Sequence, residues 1–330
     1  NLQNMSLRKN LRGYNKMGEY KKPLIVIAGP TACGKTDSSI LLAQKIGGEI
    51  ISADSMQVYK YMDIGTAKIK KDEMKGIEHY LIDEFYPDEE FNVKIFQEKV
   101  KNYINLIYEK DKIPILVGGT GFYINAIVYD NNFMLSNGVS YRDNLEKEAQ
   151  KYGNEYLYNK LKAIDPEYAS GVHYNNVKKV IRALEFYYQT GKKLSEHNEE
   201  QKKNQSPYNT AFFILNMERE TLYERINRRV DIMIENGLVD EVRNLIKMGY
   251  SPELVSMQGL GYKEIVPYIQ GKTTLDAAID EIKQKTRHFA KRQLTWFRNK
   301  TDGQWLDVTG ESPQYICDKM FDYIKYKGVV

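Results

Sequence analysis

The feature that most limits what this chain can fold into is eight residues long. "GPTACGKT" (29–36) directly follows the apolar run "PLIVIA" (23–28) and leads into "DSSILLAQKI". A glycine-rich loop between a buried strand and a helix curls its backbone so that several N–H groups point inward at a phosphate. The helix adds its positive end, Lys35 adds a point charge, and the Thr36 hydroxyl is a ligand for Mg²⁺. Gly29, Pro30, Thr31, Ala32, Cys33, Gly34, Lys35 and Thr36 are therefore the expected phosphate cradle. A nucleoside triphosphate is the usual cargo of such a loop, so nucleotide or ATP binding is the first expectation and another pyrophosphate the second.

The rest of the chain supplies the sheet that this loop needs. "EIISAD" (49–54) is a second short apolar run, "IEHYLIDEF" (77–85) a candidate third, and "IPILVGG" (113–119) another buried strand. Between them, Val93, Phe96, Val100, Ile104 and Ile107 recur at helical spacing. Strands alternating with helices predict a parallel sheet. From 131 to 205 the pattern changes to helical stretches such as "YRDNLEKEAQKYG" and "VKKVIRALEFYYQTGKK", separated by polar segments including "EHNEEQKKNQSPYN". "AFFIL" (211–215) returns the chain to the sheet, and a basic helix runs from Ile282 to about Lys300. The expected fold is α/β: a P-loop NTPase-like parallel sheet flanked by helices, over 23–130 and 206–330, with a mostly helical insertion domain at 131–205. Residues 1–22 are expected to be a basic extension, partly a cloning remnant.

Composition narrows the function classes. Two cysteines, Cys33 and Cys317, exclude a disulfide framework and a cysteine-rich zinc site, and the four histidines lack ligand spacing. No apolar run reaches the ~18 residues of a membrane span, and the first residues lack a signal peptide's apolar stretch, so the expected location is cytoplasmic. A net charge of +4 says little; its distribution says more. Asp54, at the end of "IISAD", is either a metal-supporting carboxylate or a base aimed at an acceptor group. Arg225 and Arg229 lie four apart on one helix face, with Arg228 pointing elsewhere; they clamp a pyrophosphate or form a solvated face paired to Glu224 or Asp231. "KQKTRHFAKRQLTWFRNK" (283–300) carries cations without acids and interleaves Phe289, Trp296 and Phe297, a pattern that suits RNA contact on one side and core packing on the other.

Six segments together carry a family resemblance. "GPTACGKT", "ISADSMQVYKYMDIGTAK", "PILVGGTGFYINAI", "VIRALEFYYQTGK", "MQGLGYKE" and "AKRQLTWFR" stand in the order of the tRNA dimethylallyltransferases, also called isopentenyl-tRNA transferases, from about Pro23 to Lys300. The short C-terminal end without zinc-finger cysteines resembles the bacterial form. The resemblance implies transfer of a dimethylallyl group from dimethylallyl diphosphate to N6 of the adenosine 3′ of the tRNA anticodon, with release of diphosphate. The loop would then grip a leaving group rather than ATP, aided by Mg²⁺ at Thr36 and by Arg225 and Arg229. By similarity Asp54 is the general base and Thr120 orients the target base. The base would be flipped into a channel lined by Asp54, Ser55, Met56 and Gln57. The resemblance places tRNA contacts at Arg142, at Lys178, Lys179, Val180, Ile181 and Arg182, at Gly259, Gly261, Tyr262 and Lys263, and at Lys291, Arg292, Gln293, Trp296 and Arg298. The partners implied are the anticodon stem-loop and the prenyl donor, met by a monomer without a membrane.

The chain departs from the family pattern at four places. Cys33 stands for Ser at a position that offers a backbone N–H, Ile69 stands for Pro, and Lys179 stands for Arg. Tyr61 stands for a frequent Gly, which predicts a narrower pocket mouth. Three other functions fit parts of the pattern. A small-molecule kinase shares the loop but leaves "VGGTGFY" and the basic helix unexplained. An adenylate prenyltransferase has little use for a helical insertion. A nonenzymatic RNA-binding module has no use for Asp54 beside a complete phosphate loop.

Overall fold

The computed structural model describes residues 21–133 and 141–330; the basic extension, up to residue 20, and part of the polar stretch at 134–140 lie outside the described residues. The chain divides into two compact units, one running through Val128 and resuming at Ser206, the other spanning Tyr129–Gln205. The first unit is built on six parallel strands: β1 (Pro23–Ala28), β2 (Gly48–Ser52), β3 (His79–Tyr80), β4 (Ile113–Gly118), β5 (Asn209–Asn216) and β6 (Gln304–Asp307), in the order β3-β2-β4-β1-β5-β6.

β1 sits centrally, with Ile25 opposite Ile115 of β4 and Ala211 of β5. Both of its faces are covered, which is why it reads as an unbroken apolar run. Leu24, Ile25, Val26 and Ile27 are fully buried, each contributing about 1.5–3 kcal/mol over exposure. On one face, Ile25 and Ile27 pack with Ile40, Ala43 and Ile46 of α1 (Lys35–Ile46) and with Ile316, Met320 and Ile324 of a late helix. α2 (Val93–Glu109) buries Phe96, Val100, Ile104 and Ile107 at the expected spacing. Its start is fixed by Asn92, whose Oδ1 accepts from the N–H groups of Lys94 and Ile95 at 3.0 Å. α3 (Gly121–Val128) follows β4 after one intervening residue pair.

Three expectations change. β3 covers two residues of the run 77–85, because Leu81 and Asp83 take left-handed backbone angles (φ 61° and 57°) that end the strand. The basic helix begins at Leu275, capped by Thr274, seven residues before Ile282. "EHNEEQKK" is not a loop but most of a helix in the second unit. β6 and the helix after it were not foreseen.

The second unit packs α4 (Arg142–Tyr152), α5 (Asn154–Ile164), α6 (Pro166–Ser170), α7 (Val177–Thr190) and α8 (Leu194–Lys202) around Leu145, Leu157, Leu161, Val180, Ile181 and Leu184. Its buried Asp165 caps α6 through Tyr168 N–H (3.0 Å) and accepts from Ser195 N–H (2.9 Å), joining α6 to α8. Back in the first unit come α9 (Arg219–Glu235), α10 (Leu238–Lys247), α11 (Tyr262–Ile269), α12 (Leu275–Lys300) and, after β6, α13 (Pro313–Tyr326). Among the described residues no helix is long and apolar enough to cross a membrane.

Candidate active site

The carboxyl ends of β1, β2 and β4 meet where the chain order reverses, the place where open parallel sheets bind ligands. One cavity of about 860 Å³ opens there, lined entirely by the first unit. It takes in Thr31–Asp37, Asp54–Gln57, Gly65–Ala67, Thr120, a face of α9, Gln258–Lys263 and part of α12. Six cations line it (Lys35, Arg225, Arg228, Arg229, Lys263, Arg292) against the carboxylates of Asp37 and Asp54. That excess suits a polyanion.

The phosphate loop is shaped as its sequence requires. Gly34 caps α1 with φ 85°, an angle glycine adopts freely, and no side chain closes the cap. The first N–H groups of α1 are thus left for a ligand, at the positive end of the helix. Lys35 Nζ donates to the carbonyl of Pro30 at 2.5 Å. Cys33 is buried, with its Sγ 3.8 Å from Lys35 Nζ. Gly29 and Pro30 form the stem of the loop and do not line the cavity. The Thr36 hydroxyl lines it without a hydrogen-bond partner among the described residues.

Asp54 emerges from β2, whose end is fastened to β4 by Ala53 N–H to the Val117 carbonyl (2.7 Å) and Thr120 N–H to the Ala53 carbonyl (3.3 Å). Its Oδ1 accepts from Met56 N–H at 2.8 Å and Gln57 N–H at 3.4 Å, fixing the carboxylate's direction. No described group donates to its Oδ2. Burial pushes the nearby Tyr123 phenol up to about 12, with Tyr59 and Asp54 adding to the effect, so Tyr123 stays protonated and does not compete as a base.

α9 corrects the reading of its arginines. Arg225, Arg228 and Arg229 all line the cavity, because residues three and four apart share a helix face. None of them pairs with Glu224 or Asp231; Asp231 binds Lys283 at 2.6 Å instead. The Arg225 Nη2 lies 4.0 Å from where a side chain on Gly34 would begin. Burial pushes the Arg229 guanidinium below its ordinary value, and Asp54 and Cys33 push it back.

Several residues expected to touch RNA do other work. Gln293 is buried: its Oε1 accepts from Thr31 N–H at 3.1 Å and its Nε2 donates to the Gly119 carbonyl at 2.9 Å, tying α12 to the phosphate loop and to β4. Val180 and Ile181 lie in the core of the second unit, while Lys178, Lys179 and Arg182 of the same helix are exposed. Arg142, also of that unit, pairs with Glu185 at 2.9 Å. Tyr262 is 1 % exposed. Trp296 packs edge-on against Phe122 with ring centres 6.2 Å apart. Lys291, Arg292 and Arg298 stand exposed on α12, and Lys291, Arg292 and Trp296 border a shallow cavity of about 310 Å³. Tyr61 does not narrow the pocket. It holds the left-handed φ (66°) left by a glycine position, is 45 % exposed, leans on Tyr86, and does not line the cavity. The inward stripe Ala290, Gln293, Phe297 was the available signal for Gln293; no local signal marks Arg228 beyond its spacing.

Among the described residues no group of three or more His, Cys, Asp or Glu side chains could hold an ion. Mg²⁺, however, keeps several waters and is commonly held by one or two protein oxygens together with a substrate's phosphates. The Thr36 hydroxyl at the mouth of the loop fits that role.

A family model described as IPP transferase matches residues 57–300. A tRNA dimethylallyltransferase of Lachnoclostridium phytofermentans is 54 % identical over 311 residues, covering 94 % of this chain and 99 % of the relative. The crystal structure of the full-length tRNA isopentenylpyrophosphate transferase of Bacillus halodurans is 45 % identical, with a TM-score of 0.71, covering 93 % of this chain and 97 % of that one. A eukaryotic dimethylallyltransferase acting on tRNA superimposes with a TM-score of 0.80 at 34 % identity, covering 92 % of this chain and 80 % of that one.

Proposed function

The chain belongs to the IPP transferase family, and from that premise we propose how its cavity performs the transfer of a dimethylallyl group to tRNA. The activity is that of a tRNA dimethylallyltransferase. The donor in our reading is dimethylallyl diphosphate and the acceptor is N6 of the adenosine 3′ of the anticodon. One observation carries it: a single cavity holds both a phosphate cradle and a carboxylate oxygen with no partner of its own, on Asp54.

The diphosphate sits against the N–H groups at the start of α1, with Lys35, Arg225, Arg228 and Arg229 facing it. These groups stabilise the negative charge that grows on the leaving oxygen as the allylic carbon–oxygen bond breaks. Mg²⁺ held at Thr36 would supply further charge neutralisation of the same kind. N6 of the adenine supplies the electron pair for the new carbon–nitrogen bond. Its lone pair is delocalised into the ring, so it gains from a carboxylate that accepts its proton, and Asp54 Oδ2 is the group available. Thr120, beside Ala53, orients the base. Apolar residues of the lining, among them Ile226, Ile232 and Phe289, suit the dimethylallyl tail. The exposed Lys291, Arg292 and Arg298, and Lys178, Lys179 and Arg182 of the second unit, meet RNA phosphates.

The test is one competition assay. The enzyme is offered dimethylallyl diphosphate with unmodified tRNA, then with AMP, then ATP with phosphoryl acceptors. Consumption of the first pair alone, with loss of at least ~10²-fold in single-turnover rate for Asp54→Asn at unchanged tRNA affinity, is the expected result. Transfer to AMP, phosphoryl transfer from ATP, or an Asp54→Asn enzyme of near-normal rate would refute it.

A further inference from the structure

Glu241, on α10, is one carboxylate with four donors. Its Oε2 accepts from Asp63 N–H (2.9 Å) and Ile64 N–H (2.7 Å), and its Oε1 from Gly65 N–H (3.0 Å) and the Tyr262 hydroxyl (2.6 Å). Three successive backbone N–H groups turned on one anion form a nest, here filled by the protein's own side chain. Hydrogen bonds to a carboxylate are about twice as strong as neutral ones. Gly65 is required there, since a side chain on it would begin 2.5 Å from the Tyr262 ring. Burial, followed by the Glu241 charge, pushes the Tyr262 phenol well up, so it remains a donor.

The loop held in this way runs on to the reacting carboxylate. Gly65–Ala67 line the cavity, as does Tyr262. Gln57 Nε2 donates to the carbonyls of Thr66 (3.3 Å) and Ala67 (3.4 Å), and Gln57 N–H donates to Asp54 Oδ1. None of the four groups held by Glu241 belongs to the phosphate loop. We infer that Glu241 is a positioning residue for the acceptor side of the reaction: through the loop 63–67 and Gln57 it fixes the Asp54 carboxylate and the wall that receives the target base, and it leaves the diphosphate cradle alone. This rests on the functional reading above.

The experiment separates the two sides of the cavity. Donor affinity is measured by calorimetry with dimethylallyl diphosphate. The single-turnover rate on tRNA is expressed per donor-binding site, so that unfolded enzyme does not count. Glu241→Gln replaces an acceptor oxygen with an NH₂ that faces backbone donors. It should lower the rate per site by about 10²-fold, the usual consequence of misplacing a reacting group by about 1 Å, at unchanged donor affinity. Tyr262→Phe removes one donor of the four and should show a smaller loss of the same kind, and it decides the matter should Glu241→Gln fail to bind donor. An unchanged rate per site in both variants, or a fall in donor affinity that matches the fall in rate, overturns the inference. Absence of transfer by the unsubstituted enzyme overturns the functional reading, and this inference with it. Transfer by the unsubstituted enzyme with unchanged rates per site in both variants overturns this inference alone.

Discussion

Gln293 offers a sharp quantitative test, because its two bonds join elements more than 170 residues apart in sequence. Its amide accepts from Thr31 N–H and donates to the Gly119 carbonyl. Losing a bond from the half-buried Thr31 N–H costs about 1 kcal/mol, and leaving the buried Gly119 carbonyl without its partner costs ~1–3 kcal/mol. Gln293→Met keeps the volume and removes both bonds, so it should lower the free energy of unfolding by about 2–4 kcal/mol. Gln293→Ala removes four heavy atoms beyond Cβ, leaves a cavity and should cost ~1–2 kcal/mol more. Urea unfolding followed by tryptophan fluorescence measures both, and Trp296 lies one helical turn from the substitution. The linear extrapolation is read at constant slope, so that a change in denatured-state compactness is not mistaken for a bond. A Gln293→Met enzyme within about 0.5 kcal/mol of the unsubstituted protein, the ordinary scatter of surface changes, would refute the argument that the amide clamps the loop.

Arg228→Ala and Arg225→Ala should each weaken donor binding by about tenfold, roughly 1.4 kcal/mol, by calorimetry; a silent Arg228→Ala would return α9 to two working arginines. Glu49 is buried among Lys112 (2.5 Å), Tyr80 (2.6 Å) and Lys110 (3.1 Å). Burial raises its pKa, and the bonds from Lys112, Tyr80 and Lys110 together outweigh that, so it lies below the ordinary glutamate value of 4.5. Its contribution is therefore complete above that value and lost as the pH falls through and below it; Glu49→Gln should flatten the acid side of the stability curve there and leave its shape near neutrality unchanged. Lys291→Ala, Arg292→Ala and Arg298→Ala should each reduce the slope of log tRNA affinity against log salt by about 0.7–0.9, the mark of one lost phosphate contact.

What could be read from the sequence was local. "PLIVIA" announced a doubly covered strand, "GPTACGKT" its phosphate loop, and "IISAD" the position of Asp54, because each signal is complete within a dozen residues. β6 escaped because it is four residues at a sheet edge with both end residues exposed, too short for alternation to register. α8 escaped because "LSEHNEEQK" buries only Leu194, Ser195 and His197 and otherwise faces solvent. The same limit hid the most informative parts of the site. Nothing near Gln293 says that its amide faces residues 31 and 119, and nothing near Glu241 says that three amides at 63–65 await it. Helical spacing does hold the answer for Arg228, because residues three apart share a face as residues four apart do.

Lys35 gives the loop a threshold. In the structure one of its three ammonium donors rests on the Pro30 carbonyl, so an anion that draws on all three must displace an acceptor of the protein's own. A single phosphate in water offers little advantage over a carbonyl already in place, since its charge is well hydrated. A diphosphate that spans the helix start and the α9 arginines at once brings several contacts to the same exchange. On the proposed reading, a ligand that engages both banks of positive charge should bind with a Kd well below that of orthophosphate, and calorimetry with diphosphate and orthophosphate measures the difference.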